Sequence, residues 1–111
     1  MFDVFYYRNK DGKSDIEDYL QSLDAKTDKD SRIKANKIYD YIDYLRAAGQ
    51  NAKEPFAKHL DGEIWEIRPI RDRIFYAAWD VDSFILLHLL KNKDTRKTPR
   101  RDIEQAKRNF R

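Results

Sequence analysis

Residues 84–90 read FILLHLL, a nearly unbroken apolar run that leads directly into Lys91, Lys93, Arg96 and Lys97. A short apolar run of this kind is typical of a strand that is buried on both faces, as happens when helices cover both sides of a sheet. Alternation places Phe84, Leu86, His88 and Leu90 on one face, and Ile85, Leu87, Leu89 and Lys91 on the other. The run therefore predicts the central strand of a sheet packed between helices.

Two further strands are predicted just before this run. The segment Glu63–Arg68 (EIWEIR) ends at Pro69, which cannot donate to a strand ladder. Arg73–Asp80 (RIFYAAWD) follows after a tight turn, and Phe84–Leu90 follows after another. Connections this short favour an antiparallel meander.

The N-terminal part begins with a predicted strand at 2–7 and a helix at about 14–23. Ser14 and Glu17 match a capping box, in which the Ser14 hydroxyl accepts from the Glu17 N–H and the Glu17 side chain reaches back. A strand followed by a capped helix is the expected start of the domain.

A second helix is expected from Thr27-Asp28 to just before Gly49, followed by a connector at 50–58. Thr98 and Pro99 match the N-cap and first residue of a last helix. The predicted order is β-α-α-β-β-β-α. We therefore expect one α+β domain over 1–111, a small twisted antiparallel sheet flanked by an N-terminal helical hairpin and a C-terminal helix.

Cysteine is absent and only two histidines occur, so disulfides, thiol catalysis and thiolate metal sites are excluded and an all-histidine metal site is not expected. No apolar stretch approaches the roughly 20 residues that span a bilayer, and the N-terminus lacks the form of a signal peptide. We expect a cytoplasmic protein without a metal, a cofactor or a membrane partner.

The charge is unevenly distributed along the chain. Residues 1–90 hold 14 Lys and Arg against 17 Asp and Glu, a net −3, whereas residues 91–111 hold 9 against 3, a net +6. Such asymmetry indicates an anionic partner, although a solvated basic tail has the same composition. Charge alone leaves both interpretations open.

Strand order brings basic side chains towards one another. In a meander, Arg68 and Arg73 flank the turn that contains Arg71, and the end of the third strand, with Lys91 and Lys93, lies beside the start of the second. A rim with these cations is suited to binding phosphates. The alternative is a set of ordinary cross-strand ion pairs with neighbouring carboxylates, which contribute little at a surface.

Two other groups have a structural and a functional interpretation. His88 is either a buried histidine bonded to an acceptor or a general base, and its position within a strand argues against access. Trp65, Tyr76 and Trp79 are either core residues or stacking surfaces for single-stranded bases. In both groups the structural interpretation is favoured.

Several segments together resemble the HigB-like, phage-derived branch of the RelE/ParE toxin superfamily. They are HLDGEIWEIR at 59–68, RIFY at 73–76, LHLLKNK at 87–93, KTP at 97–99 and the helix at 102–108. The resemblance implies the toxin of a type II toxin–antitoxin pair. Its implied activity is that of a metal-independent, ribosome-dependent mRNA endoribonuclease with no cofactor.

The resemblance also implies roles for individual residues. Arg73 would stabilise the scissile phosphate, Arg68 would position it, and Lys91 and Lys93 would bind RNA or assist proton transfer. The general base stays open between Lys91, Lys93 and Glu66, because the lysines and the C-terminal tyrosine of RelE-type members have no counterpart here. Further predicted contacts to RNA are Arg71, Arg96, Lys97 and Arg100.

The implied partners are the ribosome, mRNA and a cognate antitoxin with a helix-turn-helix domain, HigA-like. The same scaffold also occurs in ParE-type inhibitors, which bind DNA gyrase without cleaving RNA. Fold alone does not separate these two activities.

Overall fold

The fold is that of a computed structural model, which describes residues 1–91 and 97–111. The elements in chain order are β1 Asp3–Tyr6, α1 Asp15–Asp24, α2 Lys29–Ala48, a short 3-10 helix Gly49–Asn51, β2 Ala57–Asp61, β3 Ile64–Ile67, β4 Arg73–Asp80, β5 Ser83–Leu90 and α3 Arg100–Phe110. The predicted α+β class and element order are confirmed, with one strand more than expected. That strand, β2, begins within the segment that was predicted to be a connector.

The strands form one sheet in the order β1-β5-β4-β3-β2. The neighbours β2 to β5 pair antiparallel, as the meander requires, but β1 runs parallel to β5, from the pair Asp3–Ser83 to the pair Tyr6–Leu86. The prediction of a wholly antiparallel sheet was therefore wrong in this detail. Parallel pairing is possible because a long crossover separates the two strands in sequence.

Helix α1 begins where the sequence predicts. The Ser14 hydroxyl accepts from the Glu17 N–H at 3.2 Å, which confirms half of the capping box. The Glu17 carboxylate instead pairs with Arg8 at 2.7 Å and so links the helix to the segment after β1.

Helix α2 has a cap at each end. The Asp28 carboxylate accepts from the Ser31 N–H at 3.0 Å, and Gly49 ends the helix with φ +54°. A Cβ added at Gly49 would lie 2.6 Å from a ring carbon of Phe2. Glycine at position 49 adopts the positive φ without strain and leaves room for the Phe2 ring, just before β1.

The sheet separates two apolar clusters, so β5 is buried on both faces as predicted. It is an interior strand between β1 and β4, whereas β4 is the central strand of the five. The helical hairpin α1–α2 covers one face and contacts residues such as Ile74, Tyr76 and Leu86. Helix α3 covers the other and contacts Phe75 and Leu87. Tyr76 is buried and Trp65 is partly buried against the same cluster, which agrees with the prediction that these aromatic residues belong to the core. Trp79, in contrast, is exposed.

A β-bulge changes the faces of the last residues of β5. The pairs with β4 step from Tyr76–Leu86 to Phe75–His88, so Leu87 is an extra residue on β5. Consequently His88 lies on the α3 face with Leu87, and Lys91 lies on the hairpin face. The extra residue shifts the alternation by one, so the predicted faces of residues 88–91 were wrong.

Candidate functional site

Basic residues gather at the end of the sheet where β3 ends, β4 begins and β5 ends. In the strand register, Arg73 pairs with Leu90, and Ile67 pairs with Ile74. We call this region, with Arg68, Arg71, Arg73 and Lys91, the basic end. The backbone convergence predicted from strand order is present here.

On the α3 face, four side chains form a connected cluster, which we call the arginine cluster: Glu66, Arg68, Arg73 and Thr98. Arg68 Nε donates to Glu66 Oε2. The Thr98 hydroxyl donates to Glu66 Oε1 at 2.8 Å and accepts from Arg73 Nη1 at 2.7 Å. The segment before α3 is thus attached to two strands by one hydroxyl group.

The two arginines of the cluster differ in solvent exposure. Arg73 is only 3% exposed, whereas the Arg68 side chain is 33% exposed. Burial and the nearby Arg68 lower the pKa of Arg73, and Glu66 opposes this. An arginine keeps its charge in proteins, so both arginines of the cluster are cations close to the buried Glu66 carboxylate. Arg68 is the member that is more available to a phosphate.

The hairpin face of the basic end has different chemistry. The Tyr19 hydroxyl of α1 donates to Asp72 Oδ2 at 2.7 Å, and Asp72 is buried directly before Arg73. Lys91 Nζ lies 5.4 Å from the centre of the Tyr19 ring, within the range of a cation–π contact. Burial and the hydrogen bond to Asp72 raise the pKa of Tyr19, so its hydroxyl stays protonated and acts as a donor.

The predicted rim is therefore divided between two faces. Arg68 and Arg73 meet on the α3 face, and Lys91 is on the hairpin face because of the bulge. Arg71 is exposed in the turn between them, and Lys97 is exposed beside Thr98. The predicted residues Lys93 and Arg96 lie outside the described residues.

The start of α3 departs from the prediction in its cap. Pro99 is the N-cap, and Thr98 is turned into the arginine cluster instead of capping the helix. Arg100, predicted to bind RNA, forms ion pairs with Asp61 at 2.5 Å and Glu104 at 2.7 Å. Arg100 remains 61% exposed beside these carboxylates, and its contact with RNA stays a prediction.

His88 is bonded to a carboxylate, as its structural interpretation predicts. Its Nε2 lies 2.8 Å from Asp102 Oδ1 in the first turn of α3, and its ring packs on Phe75. Asp102 Oδ2 is buried and has no hydrogen-bond partner among residues 1–91 and 97–111, although Arg101 Nε lies 3.7 Å away. The pair fastens α3 to β5, and the His88 side chain is 19% exposed.

The contacts of Tyr19 and Asp102 and the bridging role of Thr98 were not predicted from the sequence. Each makes its contact across a long sequence separation, Tyr19 with Asp72 and Thr98 with Glu66. A local pattern carries no signal for such pairs.

Two features are absent from residues 1–91 and 97–111. No group of three or more acidic or histidine side chains is arranged to hold a metal ion. No helix in these ranges has the length and apolar character needed to cross a bilayer.

Comparison with protein families identifies the chain. The model described as phage derived protein Gp49-like (DUF891) matches residues 18–111, which is most of the sequence. The chain belongs to the Gp49-like family. Gp49-like proteins are part of the RelE/ParE-like toxin superfamily, so the chain is consistent with a toxin of a toxin–antitoxin module. No curated protein matches it significantly.

Proposed function

We propose that this Gp49-like protein is a HigB-like toxin of a type II toxin–antitoxin system, a ribosome-dependent mRNA endoribonuclease. The observation that carries the proposal is the arginine cluster, which places Arg68 and Arg73 around the buried Glu66 carboxylate at one end of the sheet. Gp49-like and RelE-like toxins are generally associated with endoribonuclease activity, which supports this choice.

Cleavage of RNA at a 2′-hydroxyl requires charge stabilisation at the phosphate and proton transfer at two oxygens. In our proposal, Arg68 contacts the scissile phosphate because its side chain is partly exposed. Arg73 contributes positive charge from behind it and orients the cluster through Thr98. This exchanges the roles that the resemblance implies for the two arginines, because Arg73 is buried.

Glu66, Lys91 and Lys93 are the candidates for proton transfer. Both carboxylate oxygens of Glu66 accept hydrogen bonds, which suits Glu66 to positioning Arg68 and Thr98. Lys91 lies on the hairpin face, away from the arginine cluster. We therefore propose Lys93 for proton transfer, a residue outside the described ranges, with no metal ion or cofactor taking part.

The proposed partners follow from the same function. The toxin would act in the cytoplasm on mRNA held by the ribosome, and a cognate antitoxin, HigA-like with a helix-turn-helix domain, would neutralise it. Cationic contacts to RNA make this binding weaker as salt rises.

Induced expression in bacterial cells tests the proposal. We expect growth arrest, with new mRNA 5′ ends inside translated codons, and loss of both effects in Arg68→Gln. Arg46→Gln is the matched control, because Arg46 lies on α2 and pairs with Asp43. Intact mRNA together with inhibited gyrase supercoiling would contradict the proposal and favour a ParE-type inhibitor.

A further inference from the structure

The turn between β3 and β4 presents two exposed side chains on a buried base. It consists of Pro69, Ile70, Arg71 and Asp72, and the Asp72 N–H donates to the Pro69 carbonyl at 3.2 Å. Pro69 and Asp72 are fully buried, whereas Ile70 is 47% exposed and Arg71 is exposed. One apolar and one cationic side chain therefore project from the tip.

Ile70 has an unusual backbone conformation. Its φ is +60°, and it is the one non-glycine residue with a positive φ within 1–91 and 97–111. A β-branched side chain is disfavoured in this region, where glycine or asparagine is accommodated readily. Strain of this kind persists only where the surroundings enforce it, and it concentrates at functional sites.

The surroundings hold this turn from both faces of the sheet. On the hairpin face, Tyr19 bonds to Asp72 at 2.7 Å. On the α3 face, Arg68 is bonded to Glu66, and Arg73 is bonded to Thr98. The residues at both ends of the tip are thus held by hydrogen bonds at the basic end.

We propose that the tip formed by Ile70 and Arg71 inserts into single-stranded RNA. Ile70 packs against the face of an unstacked base, and Arg71 binds an adjacent phosphate. Apolar wedges of this kind separate neighbouring bases in nucleic-acid complexes, and single-stranded RNA exposes base faces for such contacts. This inference rests on the proposed function and adds the contact that holds the substrate.

The charges around the tip favour RNA over a protein partner. Arg68, Arg71 and Arg73 lie within six residues, and the nearby carboxylates of Glu66 and Asp72 are buried and hydrogen-bonded. Among the described residues of this turn and its flanks, the cations exposed towards a phosphate backbone are Arg71 and the partly exposed Arg68, whereas Arg73 is buried. A protein interface of standard size needs about 800 Å² from each partner, which a tip with one apolar side chain does not supply.

Fluorescence anisotropy with a labelled, unstructured single-stranded RNA tests the inference. We expect Ile70→Gly to weaken binding about tenfold, the size of the lost burial of a half-exposed isoleucine, with little change in the salt slope. Tm should stay close to the wild-type value or rise, because glycine relieves the left-handed strain. Ile70→Asn should weaken binding by a similar factor. Arg71→Gln should reduce the slope of the logarithm of affinity against the logarithm of salt concentration by about one.

Val81→Gly is the matched control. Val81 is an 82% exposed β-branched residue in the turn between β4 and β5, at the opposite end of the sheet. It should bind RNA as the wild type does. Wild-type affinity in both Ile70 variants, or an equal loss in Val81→Gly, would overturn the inference.

Cleavage of ribosome-bound mRNA, measured in parallel, separates this inference from the proposed function. If wild-type protein cleaves mRNA while Ile70→Gly binds RNA normally, only the inference fails. If wild-type protein does not cleave and the Ile70 variants lose RNA affinity, the endoribonuclease proposal fails and the inference stands.

Discussion

Replacing Thr98 with valine removes the hydroxyl that stands between Arg73 and Glu66 and leaves the shape of the side chain nearly unchanged. Both partners are buried, and the two hydrogen bonds measure 2.7 and 2.8 Å. Hydrogen bonds to charged groups contribute about 1.5–3 kcal/mol each, and a buried polar group that loses its partner costs about 1–3 kcal/mol. We expect Thr98→Val to lower the free energy of unfolding by about 2–4 kcal/mol.

Thr98→Ser is the control, because it keeps the hydroxyl and loses one methyl group. That loss is worth about 0.8 kcal/mol of burial, so the two variants should differ by about 1–3 kcal/mol. Equilibrium unfolding in urea gives both values for a domain of this size. If the valine variant is as stable as the serine variant, the hydroxyl does not link Arg73 to Glu66 as the distances indicate.

Two further predictions concern the contacts on either side of the basic end. Tyr19→Phe removes a donor from the buried Asp72 and should lower the free energy of unfolding by about 1–3 kcal/mol in urea; wild-type stability would contradict this contact. Hydrogen bonds from two basic side chains of α3 lower the pKa of Asp61, so its contribution to stability is present above about pH 4 and is lost as pH falls through the lowered value. Asp61→Asn should therefore be less stable than wild type near neutral pH, with a gap that closes on acidification; a gap independent of pH would contradict this.

The elements that local chemistry specifies were predicted from the sequence. The Ser14 hydroxyl and Gly49 mark helix ends, and β4 has the predicted limits Arg73–Asp80. These features depend on neighbours within a few residues, so propensity, capping and periodicity are sufficient to locate them.

Features that depend on pairing between distant segments were not predicted. Strand β2, at Ala57–Asp61, has no clear alternation and is defined by its register with β3. The extra residue Leu87 follows from the β4–β5 register, and it turns His88 and Lys91 to the faces opposite to those expected from period-two alternation. Local patterns do not encode such registers, so the face of each site residue required the structure.

In the candidate site, too, one feature was predicted from the sequence and another required the structure. Strand order alone placed Arg68 and Arg73 at one end of the sheet, as the structure has them. It did not reveal that Thr98 lies between Arg73 and Glu66, because that contact joins the start of α3 to residues more than 20 positions away.

The central claim is that this Gp49-like protein cleaves mRNA on the ribosome with the arginine cluster. The most direct test incubates purified protein with an mRNA, in the presence and absence of translating ribosomes, and maps the 5′ ends. We predict cuts within codons only when ribosomes are present, and none with Arg68→Gln. Intact mRNA with the wild-type protein, or equal cleavage by a folded Arg68→Gln variant, would contradict the account.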